Sequence, residues 1–196
     1  MRPGSNPYLT AVRAARRAAA LTEDPRRTLY RARLDLVHRY AWAIPSPRAI
    51  ERLRDFGPLV ELGAGTGYWA RLIDNAGGDV LAYDVAPGPR NQFHEPLLYY
   101  PVRPGGPEVL TEHEDRTLFL CWPPSGQHRL AMSGPALAAY PGRRLVYVGE
   151  PRHGCTGDSR FFTQLGRHWR LVSTHAIPHW PHVYDEMFVY ERRSPR

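Results

Sequence analysis

The sequence predicts an α/β fold: a doubly wound, seven-stranded, mostly parallel sheet with an antiparallel last strand, plus an N-terminal helical cap. Three observations lead there. From residue 59 onward, short apolar runs of strand length alternate with helix-length segments, the texture of βαβ units. Residues 1–58 contain no such runs and read as helical. The last two apolar runs are joined only by the His-, Pro- and Trp-rich stretch 174–183, too irregular for a crossover helix, so those strands should be antiparallel.

The elements follow in order. Tyr30, Leu34, Val37, Ala41 and Ile44 recur at helical spacing, which predicts a helix over 30–44 with that face inward. Arg31 and Asp35 lie four apart on its solvated side. Pro45 ends this helix, and Ser46-Pro47 starts another, a serine N-cap followed by proline at the first helical position. It runs to about Phe56, where Gly57-Pro58 stops it. Strands are expected at 59–62, 79–83, 99–102, 117–121, 144–148, 169–173 and 184–190, with helices at 67–76, 106–112, 128–139 and 157–167. The division is therefore a cap over 1–58 and a sheet domain over 59–196.

Composition excludes several classes. Across 196 residues, 42% hydrophobic and 23% charged residues are ordinary globular usage and argue against wholesale disorder. The 20 prolines and 17 glycines fall between apolar runs without period, as turns do. No stretch approaches the roughly 18 apolar residues of a membrane span. Arg13, Arg16 and Arg17 interrupt the early apolar positions, so there is no secretory core; the Arg-rich, acid-poor start has only the bias of a transit peptide. Two cysteines form neither a disulfide framework nor a zinc site, and a cytoplasmic location is expected. The net charge of +7 sits entirely in residues 1–58, where 12 arginines face five acids. Such a segment is either a set of solvated helix faces or a surface for nucleic acid or an acidic substrate. The chain has no lysine, a bias that points to a GC-rich, bacterial genome.

The strongest motif is Leu59-Val-Glu-Leu-Gly-Ala-Gly-Thr-Gly-Tyr-Trp69. An apolar strand enters Gly-x-Gly-x-Gly and a helix follows. Gly63 permits a tight turn, Gly65 lets backbone approach a ligand, and the helix start presents free N–H groups. The dinucleotide fingerprint would need glycine at position 68, where this chain has Tyr68, and no Gly-Lys-Ser/Thr marks a phosphate loop. Glu61 is poorly placed against a pyrophosphate and well placed near an ammonium or sulfonium group. Asp84, closing the next strand 21 residues after Gly63, can accept from both hydroxyls of a ribose. An adenosine-containing ligand satisfies both.

These residues resemble the S-adenosyl-L-methionine site of the Rossmann-like, class I methyltransferase superfamily, which also ends its sheet on an antiparallel strand. Further blocks, Trp42–Ser46, Tyr83–Ala86, Leu118–Pro124 and Val146–Glu150, resemble a small bacterial and fungal methyltransferase-like family; together the likeness spans about residues 38–192. It implies that Gly63, Ala64 and Gly65 line the methionine part of the cofactor, that Glu61 organises its amino end, that Asp84 holds the ribose and that Val85 lies against adenine. Thr66, Tyr68 and Cys121 join this cofactor-binding set.

The acceptor side is read from the next loops. Trp122-Pro-Pro-Ser125 follows the fourth strand. Enzymes that methylate amino groups of bases or glutamine carry a polar residue, Pro-Pro and an aromatic there, so Trp122 and Ser125 count against flipped-base chemistry. Trp122 suits a flat or cationic acceptor. Glu150 and His153, after the fifth strand, are the candidate general bases. Tyr40 and Trp42 from the cap, and His179 and Trp180 from the last loop, are the other candidate acceptor contacts. His94 could cover adenine or reach the pocket. Pro178 and Pro181 keep the histidines of the last loop off one helix face, and no metal is expected.

The expected function is methyl transfer from S-adenosyl-L-methionine to a small-molecule acceptor, with no membrane partner. Three alternatives stay open: an RNA or protein methyltransferase docking through the basic segment, a cofactor-binding protein without turnover, and a sulfonium enzyme that transfers no methyl.

Overall fold

The computed structural model describes residues 5–125, 131–152 and 154–194. Three helices open the chain: α1 (Pro7–Ala19), α2 (Pro25–Arg39) and α3 (Pro47–Asp55). Each begins at a proline in the first turn, behind a side-chain cap: Asn6, Asp24 and Ser46 accept from the amides of Leu9, Arg27 and Ala49. The α3 boundaries match the sequence expectation. Those of α2 do not. The helix starts five residues earlier and ends at Arg39 rather than residue 44, leaving Tyr30 and Leu34 exposed. Val37, Ala41 and Ile44 are buried as expected, but the last two lie in the linker that follows.

Then come β1 (Leu59–Leu62), α4 (Tyr68–Asn75), β2 (Val80–Asp84), β3 (Val102–Pro104), β4 (Thr117–Cys121), α5 (Ser133–Ala139), β5 (Arg144–Gly149), α6 (Ser159–His168), β6 (Trp169–Ala176) and β7 (Glu186–Arg192). The sheet order is β3-β2-β1-β4-β5-β7-β6. All pairs from β3 to β5 are parallel, and β7 is antiparallel to both β5 and β6. The doubly wound Rossmann-like sheet with a reversed last strand is therefore present. The third strand sits later than predicted because Tyr99 and Tyr100 pack beside the glycine loop instead of pairing. The segment at 107–112 is a 3-10 helix, and residues 128–130 of the expected third sheet-domain helix lie outside the described residues.

Alternation along the strands divides the core into two layers. Leu59, Phe119, Val146 and Val148 face one side, under α1 to α4. Val60, Leu62, Leu118, Leu120 and Leu145 face the other, against α5 and α6. Glu61 shares the face of Leu59, which places its carboxyl group under the N-terminal helices. Tyr8 of α1 is fully buried, and the indole N–H of Trp180 donates to its hydroxyl at 3.1 Å. No described helix is long and apolar enough to cross a membrane.

Candidate functional site

Parallel strands β1, β2 and β4 end at one edge of the sheet. Between β1 and β4 the winding reverses direction, leaving a crevice beyond their carboxyl ends. A cavity of about 440 Å³ occupies that place. Its floor is the glycine loop. Gly63 and Gly65 take φ of +78° and +55°, and the amides of Gly63 and Ala64 both donate to the carbonyl of Tyr83, at 2.8 and 3.0 Å. One carboxyl group joins this loop to the next: Asp84 accepts from the Gly65 amide at 2.9 Å and from the Ala86 amide at 2.9 Å. The Asn91 side-chain amide donates to Asp84 at 3.5 Å.

Both glycines hold positive φ, and a side chain at either would press on a neighbour. A Cβ on Gly65 would stand 2.6 Å from His94 Nε2, and one on Gly63 would stand 2.9 Å from Met132 Sδ. We expect Gly65→Ala to destabilise the fold by about 1–3 kcal/mol through the left-handed backbone alone. It should also displace His94. Denaturant unfolding checks the first effect; a melt no lower than that of the parent would contradict it.

Glu61 is 1% exposed at the cavity wall, and its Oε2 has no hydrogen-bond partner. Burial, with Asp84 nearby, pushes its pKa up to about 8. A donor or cation entering the cavity would satisfy that oxygen. Burial, aided by the charge of Glu61, also pushes the Cys121 thiol well above its usual value, so it stays protonated and packs as a small apolar group.

The opposite wall is aromatic. Trp42 and Trp122 stack with centroids 5.0 Å apart and planes 16° from parallel. Arg33 lies over both rings, at 5.9 and 6.0 Å. The Trp122 indole N–H donates to Asp185 at 2.7 Å, and its backbone holds a φ of +53°. Burial, then the neighbouring Glu150, raises the Asp185 pKa to about 7 against the effect of that indole bond.

Of the residues singled out from sequence, Trp42, Glu61, Gly63, Ala64, Gly65, Asp84, Val85, Cys121 and Trp122 line the cavity together. Others do not. Thr66 turns its hydroxyl to the Tyr40 carbonyl. Tyr68 points from the first turn of α4 toward α1 and donates to Asn6 at 3.0 Å. Tyr40 is stacked between Tyr8 and Tyr99, at 5.1 and 5.6 Å. Trp180 packs beneath α1, and the His179 ring is bonded to the Trp180 carbonyl at 3.0 Å. Glu150 is committed elsewhere: its two oxygens accept from the amides of Tyr184 and Cys155, at 3.0 and 2.5 Å. Burial raises its pKa, but those amides more than offset it and leave a low value, unsuited to a base. His153 lies outside the described residues.

Sequence reasoning passed over Asn91 and Met132 and left His94 between two roles, covering adenine or reaching the pocket; all three line the cavity. Their signal was faint. They sit in loops after β2 and before α5, where no periodicity marks the inward side.

No protein-family model matches the chain, and no curated protein matches its sequence. Solved structures do resemble it. A Streptococcus pneumoniae protein described provisionally as a tRNA methyltransferase aligns over 78% of this chain and 72% of its own, at 13% identity and a TM-score of 0.49. A variant of MtNAS in complex with S-adenosylmethionine aligns over 94% and 74%, at 13% identity and 0.48. Magnesium protoporphyrin IX methyltransferase from Synechocystis, with bound SAM, aligns over 74% and 77%, at 14% identity and 0.42. All three scores fall below 0.5, so the Rossmann-like fold is assigned from this chain's own sheet order.

Proposed function

We propose that the cavity binds S-adenosyl-L-methionine and that the protein is a methyltransferase acting on a small-molecule acceptor at the Trp42–Trp122 wall. One observation carries this reading. The glycine loop, Asp84 and an orphaned buried carboxyl oxygen on Glu61 surround one cavity of about 440 Å³, within the range of small-molecule sites. The residues fit the cofactor: Glu61 lacks a donor that an ammonium group supplies, and Asp84 keeps acceptor capacity for ribose hydroxyls. When bound, the sulfonium supplies an already activated methyl group. The chain's task is then alignment: the glycine loop sets depth, and the indole wall orients a flat acceptor and excludes water.

Incubation with methyl-labelled S-adenosylmethionine, a panel of small hydroxyl- and amine-bearing aromatics and, in parallel, total RNA tests this. Label in a small molecule supports the reading. Label confined to RNA contradicts it. The second outcome has a structural motive, since Arg13, Arg16, Arg17, Arg26, Arg27 and Arg31 are exposed on α1 and α2. Steep salt dependence of RNA binding would accompany it.

A further inference from the structure

Resting on that reading, we propose that His94 is the base of this site, and that the acceptor therefore presents a nucleophile carrying a proton, a hydroxyl or an amine. His94 belongs to a strap that crosses the glycine loop. The strap is pinned at two points just after His94: the Glu95 amide donates to the His38 carbonyl at 2.9 Å, and the Tyr99 amide donates to the Thr66 carbonyl at 2.8 Å. Immediately before the first of these anchors, His94 Nδ1 lies 3.2 Å from the Val37 carbonyl. A carbonyl can only accept, so Nδ1 carries the proton and Nε2 is left with its lone pair. Nε2 is also the atom nearest the open side of Gly65, and the ring lines the cavity.

Among the described residues, two other carboxylates and a thiol are less suited to the role. Glu150 is held by two backbone amides, and Asp84 is held by two more. The Cys121 thiol is kept protonated. Burial lowers the His94 pKa, outweighing the carbonyls of Val37 and His38 and the charge of Asp84, while the His38 ring lowers it further. The imidazole is thus neutral near pH 7 and ready to accept. In the step itself, the acceptor's nucleophile bonds to the methyl carbon as the carbon–sulfur bond breaks. The electron pair of that bond goes to sulfur, the nucleophile's proton goes to Nε2, and the imidazolium returns it to solvent.

The test needs no known acceptor. The full-length protein is labelled with nitrogen isotope in its histidines, and ring resonances are followed by NMR; the signal lost in His94→Asn identifies His94. Two probes are added in turn: S-adenosylhomocysteine, and sinefungin, which carries an amine in place of the S-methyl group. The proposal expects a neutral Nδ1–H tautomer and an Nε2 resonance that sinefungin moves as a new hydrogen bond does, well beyond the effect of S-adenosylhomocysteine. It also expects His94→Asn to bind S-adenosylhomocysteine within about threefold of the parent, under 1 kcal/mol. An Nε2–H tautomer, or a resonance that responds equally to both probes, overturns it. So does a large gain in affinity on substitution, which would make the ring a plug. Calorimetry on the same sample separates the failures. Bound probes with an unmoved Nε2 remove the base alone, whereas no binding removes the cofactor reading and the base with it.

Discussion

Replacing Asp84 by alanine abolishes binding of S-adenosylmethionine and lowers the melting temperature together. The two effects share one cause. Asp84 is 6% exposed, and its oxygens accept from the amides of Gly65 and Ala86 and from Asn91. Removing it leaves at least two donors unpaired, at about 1–3 kcal/mol for each that stays buried. For a chain of this size, each kcal/mol shifts the melting temperature by roughly 2–4 °C. The binding loss is the larger effect, because the loops after β1 and β2 both lose their common anchor while the ribose loses its acceptor. Asp84→Asn separates the two contributions: one oxygen remains to accept, so stability recovers in part while affinity stays at least about tenfold down, roughly 1.4 kcal/mol. Thermal melts and calorimetry check both. Unchanged affinity in Asp84→Ala would show that the ligand sits elsewhere.

Glu61→Gln has opposite effects on stability and on binding. The buried carboxyl group titrates near 8 in the free protein, against 4.5 for an unperturbed glutamate. A raised pKa means that the folded state holds its proton longer than the unfolded chain. The stability is intact below about 4.5 and is lost as pH rises through about 8. At about 1.4 kcal/mol per pH unit, the native carboxylate subtracts a few kcal/mol by the top of that window. The glutamine variant should therefore melt higher than the parent at pH 8 and show little advantage near pH 5. Asp185, raised to about 7, titrates in both proteins and cancels in the difference. Binding moves the other way. A cationic ligand stabilises the carboxylate, so the parent releases close to one proton on binding at neutral pH, and affinity falls as pH drops below about 8. Titrations in two buffers of different ionisation enthalpy measure that proton, and the glutamine variant should show none. Equal apparent enthalpies for the parent in both buffers would contradict the assignment of Glu61 to a cation.

Legibility in the sequence tracked how local the physics was. β1 and β4 are apolar runs with all or nearly all residues buried, and their bounds agree with the expectation residue for residue. The Ser46-Pro47 start of α3 is a cap written in two adjacent residues. The same signature stands at Asp24-Pro25 and marks the true start of α2, but the periodicity beginning at Tyr30 masked it. That helix ends at Arg39 because the Tyr40 carbonyl is turned to Thr66, a contact between distant parts of the chain. Within the site, residues on strand ends and the glycine loop could be placed from the motif, since backbone direction fixes them. Tyr68 could not: at the first position of α4, its side chain is turned toward α1. The strap that brings His94 over Gly65 depends on hydrogen bonds to α2, and nothing in the local sequence encodes them.

The measurement that bears most directly on the central claim is calorimetric titration of the folded protein with S-adenosylmethionine, S-adenosylhomocysteine and NAD in parallel. A cavity built on Glu61, Gly63–Gly65 and Asp84 predicts binding of both adenosyl ligands at micromolar concentration, about −8 kcal/mol, with no heat from NAD. Absence of heat from either adenosyl ligand, in a sample that melts cooperatively, would contradict the account.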